Sequence, residues 1–287
     1  MRLPAPAKVN LGLRLLKRRS DGYHEIESFF HTLAWGDEVE LEPADELSLT
    51  IETAADAPFP ELLKEIPDDE TNLAWRAAAA ALDAAGYPGV SIHLIKRIPP
   101  GAGLGGGSSN AATVLRGVLE LAGREMPESA VNSLAAGIGA DVPFFLSGGC
   151  ALVGGIGERV SRIPALNGTP CLLILHPFAV STPRAYALAN YSLTRDPEYG
   201  HYLTSHGILG PILSRVALTN DLQEAVAREH PEIAAAVAAL EQAGAYFASM
   251  TGSGSAVYGL FDSEEEARRA REDIAAGGRV VVETSLR

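Results

Sequence analysis

Cysteine is nearly absent. Cys150 and Cys171 are the only two in 287 residues, and they share no paired spacing. That excludes a disulfide framework and a cysteine-based zinc site, and it suits a reducing compartment. Both stand in apolar stretches, where a cysteine is expected as a small packing residue. Positive charge is also short: 23 Lys and Arg stand against 36 Asp and Glu, a formal net charge of −13. Duplex binding needs a basic face, so nucleic acid is not an expected partner. No apolar run reaches the roughly 20 residues of a membrane span, and the N-terminus has no apolar core of a signal peptide. The expectation is a soluble cytoplasmic protein with no membrane partner. Neither monomer nor homodimer is favoured.

What is present is globular. Hydrophobic residues make up 47% and charged residues 21%, enough for a sizeable core in one large domain or two ordinary ones. The acidic balance has one local exception. The first twenty residues carry Arg2, Lys8, Arg14, Lys17, Arg18 and Arg19 and no acid. This reads equally as a solvated basic edge or as a local source of positive charge for an anion.

Local patterns give the elements. "DEVELEP" and "ELSLTIET" alternate apolar and polar residues, which predicts an antiparallel hairpin with Val39 and Leu41 facing Leu47, Leu49 and Ile51. "TNLAWRAAAAALDAAG" predicts a helix capped by Thr71 or Asn72 and ended by Gly86. "VSIHLIKRI" predicts a half-buried strand. "SSNAATVLRGVLELAG" has helical spacing to Gly123, and "MPESAVNSLAAGIG" has it with Pro127 in the first turn, followed by a loop and the apolar "VPFFL". "CLLILHP", "SAVYGLF" and "RVVVETSL" predict strands, and "HPEIAAAVAALEQAGA" a helix led by Pro231. "SEEEARRAREDIAAGG" predicts an exposed helix with a Ser263/Glu266 capping box and Glu264–Arg268 and Glu265–Arg269 pairs. From Ser192 to about Leu209 the pattern is weak and predicts irregular structure or short helices. Helices interleaved with alternating strands give the class α+β. A break around "RIPALNGTP" divides the chain into domains 1–162 and 163–287.

One stretch asks for chemistry. "PPGAGLGGGSSN", Pro99 to Asn110, has five glycines in twelve residues and runs into an apolar helix. Glycines that open a helix aim several N–H donors and the positive end of the helix dipole at one point, an anion site. The P-loop pattern nearly fits from Gly101 to Ser108, but Gly107 stands where its lysine belongs. Gly101, Gly103 and Gly106 fit a dinucleotide fingerprint. However, the preceding strand alternates, where such a strand is buried on both faces, and Pro99 and Pro100 break the tight turn. A kinase loop of another type remains: prolines, glycines, then the hydroxyls of Ser108 and Ser109 at the helix start, able to meet phosphate oxygens or Mg²⁺. A flexible surface loop is the alternative without chemistry.

"PPGAGLGGGSSNAA" resembles the phosphate loop of the galactokinase, homoserine kinase, mevalonate kinase and phosphomevalonate kinase (GHMP) superfamily. "PAPAKVNLGL" resembles that superfamily's first motif and "MTGSGSAVYGLF" its third, so three motifs stand in order over most of the chain. "DGYHEIES", "TNLAWRAA", "GADVPFFL", "HPFAVSTPRAY" and "NDLQEAVAREHPEI" are similar to the branch that phosphorylates a CDP-linked methylerythritol in non-mevalonate isoprenoid synthesis. The resemblance implies a two-domain α+β fold. An N-terminal domain with a mixed or antiparallel sheet binds ATP. A ferredoxin-like α/β sandwich follows, with the active site in the cleft between the two. ATP and Mg²⁺ are the implied co-substrate and ion, and the protein ligands of Mg²⁺ stay open. A homoserine- or mevalonate-type kinase is the implied alternative. A non-catalytic nucleotide-binding module is less consistent with keeping both Lys8 and Asp141.

The residue roles follow from the resemblance. Asp141 would be the general base and Lys8 its partner, whose ammonium keeps the carboxylate ionised; Asp141 also reads as a turn cap and Lys8 as a surface lysine. The loop from Pro99 and Pro100 through Gly101, Ala102, Gly103, Leu104, Gly105, Gly106 and Gly107 to Ser108 and Ser109 would hold the triphosphate. Asn72 and Lys96 are candidates for the adenine and ribose end, although Asn72 also reads as a helix cap and Lys96 as a solvated strand residue. Tyr23 and Tyr186 would sandwich the cytosine, His24 would bond its edge, and Asn10 and Thr182 would hold polar groups of the substrate. Phe30 would line the pocket, with Gly252 and Ser253 of the third motif beside it. From residue type alone, Tyr23, Phe30 and His24 read as core or partly buried residues.

Overall fold

The computed structural model describes residues 1–189 and 218–287. The weakly patterned stretch after Ser192 lies outside the described residues. Contacts divide the chain into two interleaved units. One contains Met1–Ala7, Gly36–Pro100 and Gly105–Gly148; the other contains Lys8–Trp35, Gly101–Leu104 and Gly149–Arg287. Two long paired strands, β1 (Arg2–Arg18) and β2 (His24–Pro43), contribute residues to both.

In the first unit β2 meets β3 (Ser48–Thr53) and β4 (Val90–Lys96). The hairpin expected of β2 and β3 does not form. β4 lies between them, antiparallel to β2 with Val39 opposite Leu94 and Leu41 opposite Ile92, and parallel to β3 with Leu49 opposite Ile92 and Ile51 opposite Leu94. Alternation named the shared face correctly and the partner wrongly. The turn after β2 closes on the residue preceding β4. The Ala44 N–H donates to the Gly89 carbonyl at 3.3 Å. A Cβ on Gly89 would stand 2.5 Å from the Glu46 nitrogen, so only a bare backbone admits the approach.

The helices of this unit are α1 (Pro60–Leu63), α2 (Leu73–Ala85), α3 (Gly106–Leu121), α4 (Glu128–Ile138) and α5 (Val142–Ser147). Asn72 caps α2 by accepting from the Ala74 N–H at 2.9 Å, and Gly86 ends it in the left-handed region at φ +64°. Pro127 stands at the N-cap of α4, one residue before the first turn. α2 packs on α3, and Ala74, Ala77, Ala78 and Ala81 of the one and Ala111, Val114, Leu115 and Val118 of the other are fully buried.

In the second unit the first half of β2 pairs with β5 (Cys150–Gly155), and β5 with β6 (Arg159–Ile163). The remainder is an antiparallel sheet with helices: β7 (Pro170–Leu175), α6 (Thr182–Leu188), α7 (Gln223–Glu229), α8 (Pro231–Gln242), β8 (Phe247–Met250), β9 (Val257–Leu260), α9 (Glu264–Ala276) and β10 (Val280–Ser285). The spatial order β10-β7-β9-β8 is the split βαββαβ arrangement, a ferredoxin-like sandwich. α8 packs on β8 and β9, and α9 on β7 and β10. The core joins Leu172, Ile174, Ile233, Leu240, Phe261 and Ile274; each contributes about 1.5–3 kcal/mol on burial.

Ser263 caps α9 as expected, accepting from the Glu266 N–H at 3.2 Å. Of the two expected ion pairs, Glu265–Arg269 forms at 2.8 Å. Glu264–Arg268 does not: Arg268 turns to Glu265 at 2.6 Å and Glu272 at 3.2 Å, because three acids on one helix compete for it. Both cysteines are free and buried, and burial pushes the Cys150 thiol up to about 12. Among the described residues no helix is long and apolar enough to cross a membrane.

His31 on β2 is fully buried. Its Nε2 accepts from the Leu166 N–H at 2.9 Å, so its Nδ1 carries the proton and donates to the Thr32 carbonyl, also at 2.9 Å. Burial holds its pKa below the ordinary histidine value, as it does that of His176. The unfolded chain therefore takes up protons first as pH falls through about 6.5, and the fold loses stability below that pH. Urea midpoints at pH 7.5 and 5.5 should differ for this reason. His31→Gln should lower the midpoint at pH 7.5 and reduce the difference; an undiminished difference would remove His31 from the account.

Candidate functional site

The first motif lies on β1. Lys8 is 3% exposed, and its Nζ donates to Asn10 Oδ1 at 2.5 Å and lies 4.6 Å from the Phe30 ring centroid. Burying an ammonium costs several kcal/mol unless other groups replace water. An amide oxygen and an aromatic face do part of that here. The Lys8 N–H donates to the Leu104 carbonyl at 3.0 Å, which ties the lysine's backbone to the glycine loop.

Asn10 is 1% exposed and is held by several hydrogen bonds within the protein. Its Nδ2 donates to Ser28 Oγ at 2.9 Å, its N–H to Thr251 Oγ1 at 3.1 Å, and its carbonyl accepts from the Tyr258 hydroxyl at 2.8 Å. Thr251 Oγ1 lies within reach of two acceptors, Asn10 Oδ1 at 3.2 Å and the Gly103 carbonyl at 3.3 Å. One fully buried hydroxyl therefore joins the first motif, the glycine loop and the third motif. Asn220 steadies the third motif, donating from Nδ2 to the Met250 carbonyl at 2.7 Å and the Gly252 carbonyl at 2.8 Å.

Gly103 is required to be a glycine by this crowding. Gly103 has φ +76°, and a Cβ there would lie 2.1 Å from the Thr251 carbonyl oxygen. Gly105 caps α3 from the left-handed region at φ +72°. The leading N–H groups of α3 have no intrahelical acceptor, which makes this end a donor cluster for an anion. The Ser109 hydroxyl in its first turn is buried and has no hydrogen-bond partner among the described residues. A phosphate oxygen or its accompanying Mg²⁺ would satisfy it. No group of three or more His, Cys, Asp or Glu able to hold a metal ion occurs among the described residues.

Asp141 is the N-cap residue of α5, at φ −84° and ψ −10°, and its side chain makes no capping hydrogen bond. The turn-cap reading thus lacks the bond that would define it. Asn72 does act as a cap, and its Nδ2 donates to the Pro67 carbonyl at 2.6 Å. Lys96 is not a solvated strand residue. It is 3% exposed, paired with Asp37, and donates to Asn110 Oδ1 at 2.7 Å.

The rings expected around the base lie in the second unit. His24 and Tyr186 stack with centroids 5.2 Å apart and planes at 22°, and burial together with Arg18 lowers the His24 pKa. Tyr23 is 61% exposed, in a turn held by Asp21, whose Oδ1 accepts from the Tyr23 N–H at 3.1 Å. Thr182 and Ser253 share a hydrogen bond between hydroxyls at 3.0 Å. Phe30 is 2% exposed under Lys8, and a Cβ on Gly252 would lie 3.4 Å from Asn10 Oδ1.

Sequence reasoning named Thr251 only as the start of the third motif's glycine stretch and gave no role to Ser28, Asp37 or Asn110. Asp37 had a signal, since it shares the period-2 inward face of Val39 and Leu41. A charge on that face needs a buried partner.

The GHMP kinases N terminal domain model matches residues 72–149, and the GHMP kinases C terminal model residues 202–280. The 4-diphosphocytidyl-2-C-methyl-D-erythritol kinase of Geobacter sulfurreducens is 37% identical over 278 residues, covering 96% of this chain and 94% of its own length. That of Salinibacter ruber is 39% identical over 279 residues, covering 94% and 93%. A crystal structure of 4-(cytidine 5'-diphospho)-2C-methyl-D-erythritol kinase superposes with TM-score 0.79 at 36% identity, covering 100% of this chain and 99% of that one. The Methanococcus jannaschii mevalonate kinase, at TM-score 0.67 and 14% identity, shares the fold.

Gly103→Ala should destabilise the protein by more than about 1 kcal/mol, from strain at positive φ and the clash with Thr251. Gly137→Ala is the contrast: this glycine lies in α4 with nothing within 4 Å of the new Cβ. It should be neutral or stabilise by about 0.5–1 kcal/mol. Urea unfolding of both variants measures the difference, and equal midpoints would show that the loop yields freely.

Proposed function

The chain belongs to the GHMP kinases, and on that footing we propose that it transfers the γ-phosphoryl group of ATP to the 2-hydroxyl of 4-diphosphocytidyl-2-C-methyl-D-erythritol. The observation that carries this reading is the buried Lys8 ammonium, whose own backbone is bonded to the glycine loop. A cation fixed beside a phosphate loop fits a reaction in which negative charge must be held still while an alcohol attacks.

The loop amides and the α3 N-terminus hold the triphosphate, and the Ser109 hydroxyl turns to a phosphate oxygen or to Mg²⁺. When bound, Mg²⁺ neutralises charge on the phosphates. Asp141 accepts the hydroxyl proton as the new O–P bond forms. The bond from the γ-phosphorus to the bridging oxygen breaks, and ADP leaves with that electron pair. Lys8 lowers the cost of the developing alkoxide. His24 and Tyr186 present ring faces and edges to the cytosine, with Tyr23 closing on it, and Asn10, Thr182 and Ser253 hold polar groups of the alcohol.

A coupled assay of ADP release, with the cytidyl alcohol, homoserine and mevalonate offered separately, tests the substrate. Turnover should require the cytidyl alcohol, and equal turnover with either of the others would overturn the assignment. Asp141→Asn should lower kcat by about 10²–10⁴ and leave ATP binding within about threefold. Retention of near wild-type kcat would remove the base role. Tyr186→Ala should raise KM for the cytidyl substrate by the equivalent of about 1–3 kcal/mol and leave KM for ATP unchanged. Parallel changes in both KM values would count against a base-stacking role.

A further inference from the structure

The chain entering the glycine loop and the chain leaving it are bound to the same carboxylate. β4 ends at Lys96. The next two amides, of Arg97 and Ile98, donate to Asp37 Oδ1 at 2.7 and 2.9 Å. After them come Pro99 and Pro100, which have no N–H to give. Beyond the loop, Asn110 in α3 donates from Nδ2 to Asp37 Oδ2 at 3.1 Å. Lys96 closes the set, donating to Asp37 Oδ2 and to Asn110 Oδ1. Asp37, Lys96 and Asn110 are each 3% exposed or less, and all lie within one unit.

A buried ion pair is weak evidence for stability, because desolvation cancels much of the attraction. Its position is more telling. The strand ladder stops at Lys96 and the prolines carry no donor, so the two amides between them, of Arg97 and Ile98, have Asp37 as their acceptor. Asp37 fixes the two ends of the bare segment relative to each other. A loop whose ends are fixed loses less freedom when its amides close on a ligand.

We propose that Asp37 is the positioning residue of the glycine loop, acting through Asn110 and Lys96 to hold it ready for a nucleoside triphosphate. This rests on the kinase reading for the identity of the ligand, but its test needs binding and no turnover, so the two fail separately. Asn110→Leu removes the helix-side tether, keeps a similar volume and leaves the Asp37–Lys96 pair in place. Three quantities are read on the folded variant: the Kd of a non-hydrolysable ATP analogue by calorimetry, hydrogen exchange of the peptide spanning residues 97–110, and KM for the cytidyl alcohol. Expected are an analogue Kd raised tenfold or more, faster exchange in that peptide, and a KM for the alcohol within twofold of wild type. A purely structural role would lower the melting temperature and leave the analogue Kd unchanged. A folded Asn110→Leu protein with wild-type Kd and exchange overturns the proposal. If that variant does not fold, Asn110→Ser, too short to span the gap, is read by the same criteria.

Discussion

The hydrogen bond from the Lys8 ammonium to the Asn10 side-chain oxygen sets the conditions for much of the second unit. A buried cation needs oxygen close by, and one such oxygen here belongs to an amide that must itself be held. Asn10 is held from four directions: by Thr251 at its N–H and Oδ1, by Ser28 at its Nδ2, and by Tyr258 at its carbonyl. Two of those partners have a second obligation. Ser28 donates on to the Gly12 carbonyl at 2.5 Å, and the Thr251 hydroxyl also faces the Gly103 carbonyl. In a low-dielectric interior such linked bonds strengthen one another, and leaving one group unpaired is costly. Placing a single amine thus fixes where three distant segments must meet.

The two buried lysines are supported in different ways. Lys96 faces a carboxylate and an amide. Lys8 has among its neighbours an amide oxygen and the face of Phe30. A carboxylate and an amide from separate stretches of one unit, both on the Lys96 ammonium, suit a tether between chain segments.

Features governed by neighbouring residues were legible in the sequence. The cap at Asn72, the left-handed stop at Gly86 and the cap at Ser263 each depend on atoms within a few positions, and all three appear as expected. The alternation of β2, β3 and β4 gave the right faces. Their order was not legible, because it turns on Glu46 reaching Gly89, a contact between segments more than forty residues apart. The same limit hid Thr251 and Asp37. Each lay beside a recognised pattern, but their roles come from what faces them. The Arg268 pairing failed for another reason: the i,i+4 rule counts acids one at a time, and this helix offers several to one arginine.

The two glycine-rich stretches illustrate how far a ligand alone explains a bare backbone. A Cβ on Gly103 would strike the Thr251 carbonyl at 2.1 Å, and one on Gly252 would come within 3.2 Å of the Gly103 carbonyl. Each stretch is therefore stripped partly by the other, before any phosphate arrives. Gly101 adds a third case, since its Cβ would meet that of Ala179 at 2.6 Å while its carbonyl accepts from the Val180 N–H at 3.0 Å. Gly107 differs. It is exposed, and among the described residues a methyl group of Leu73 at 3.5 Å, an ordinary contact, is the one atom its Cβ would meet. Protein packing does not demand a glycine there. If the first turn of α3 must admit a phosphate close to its backbone, Gly107 is the position where that demand is separable from the fold's own.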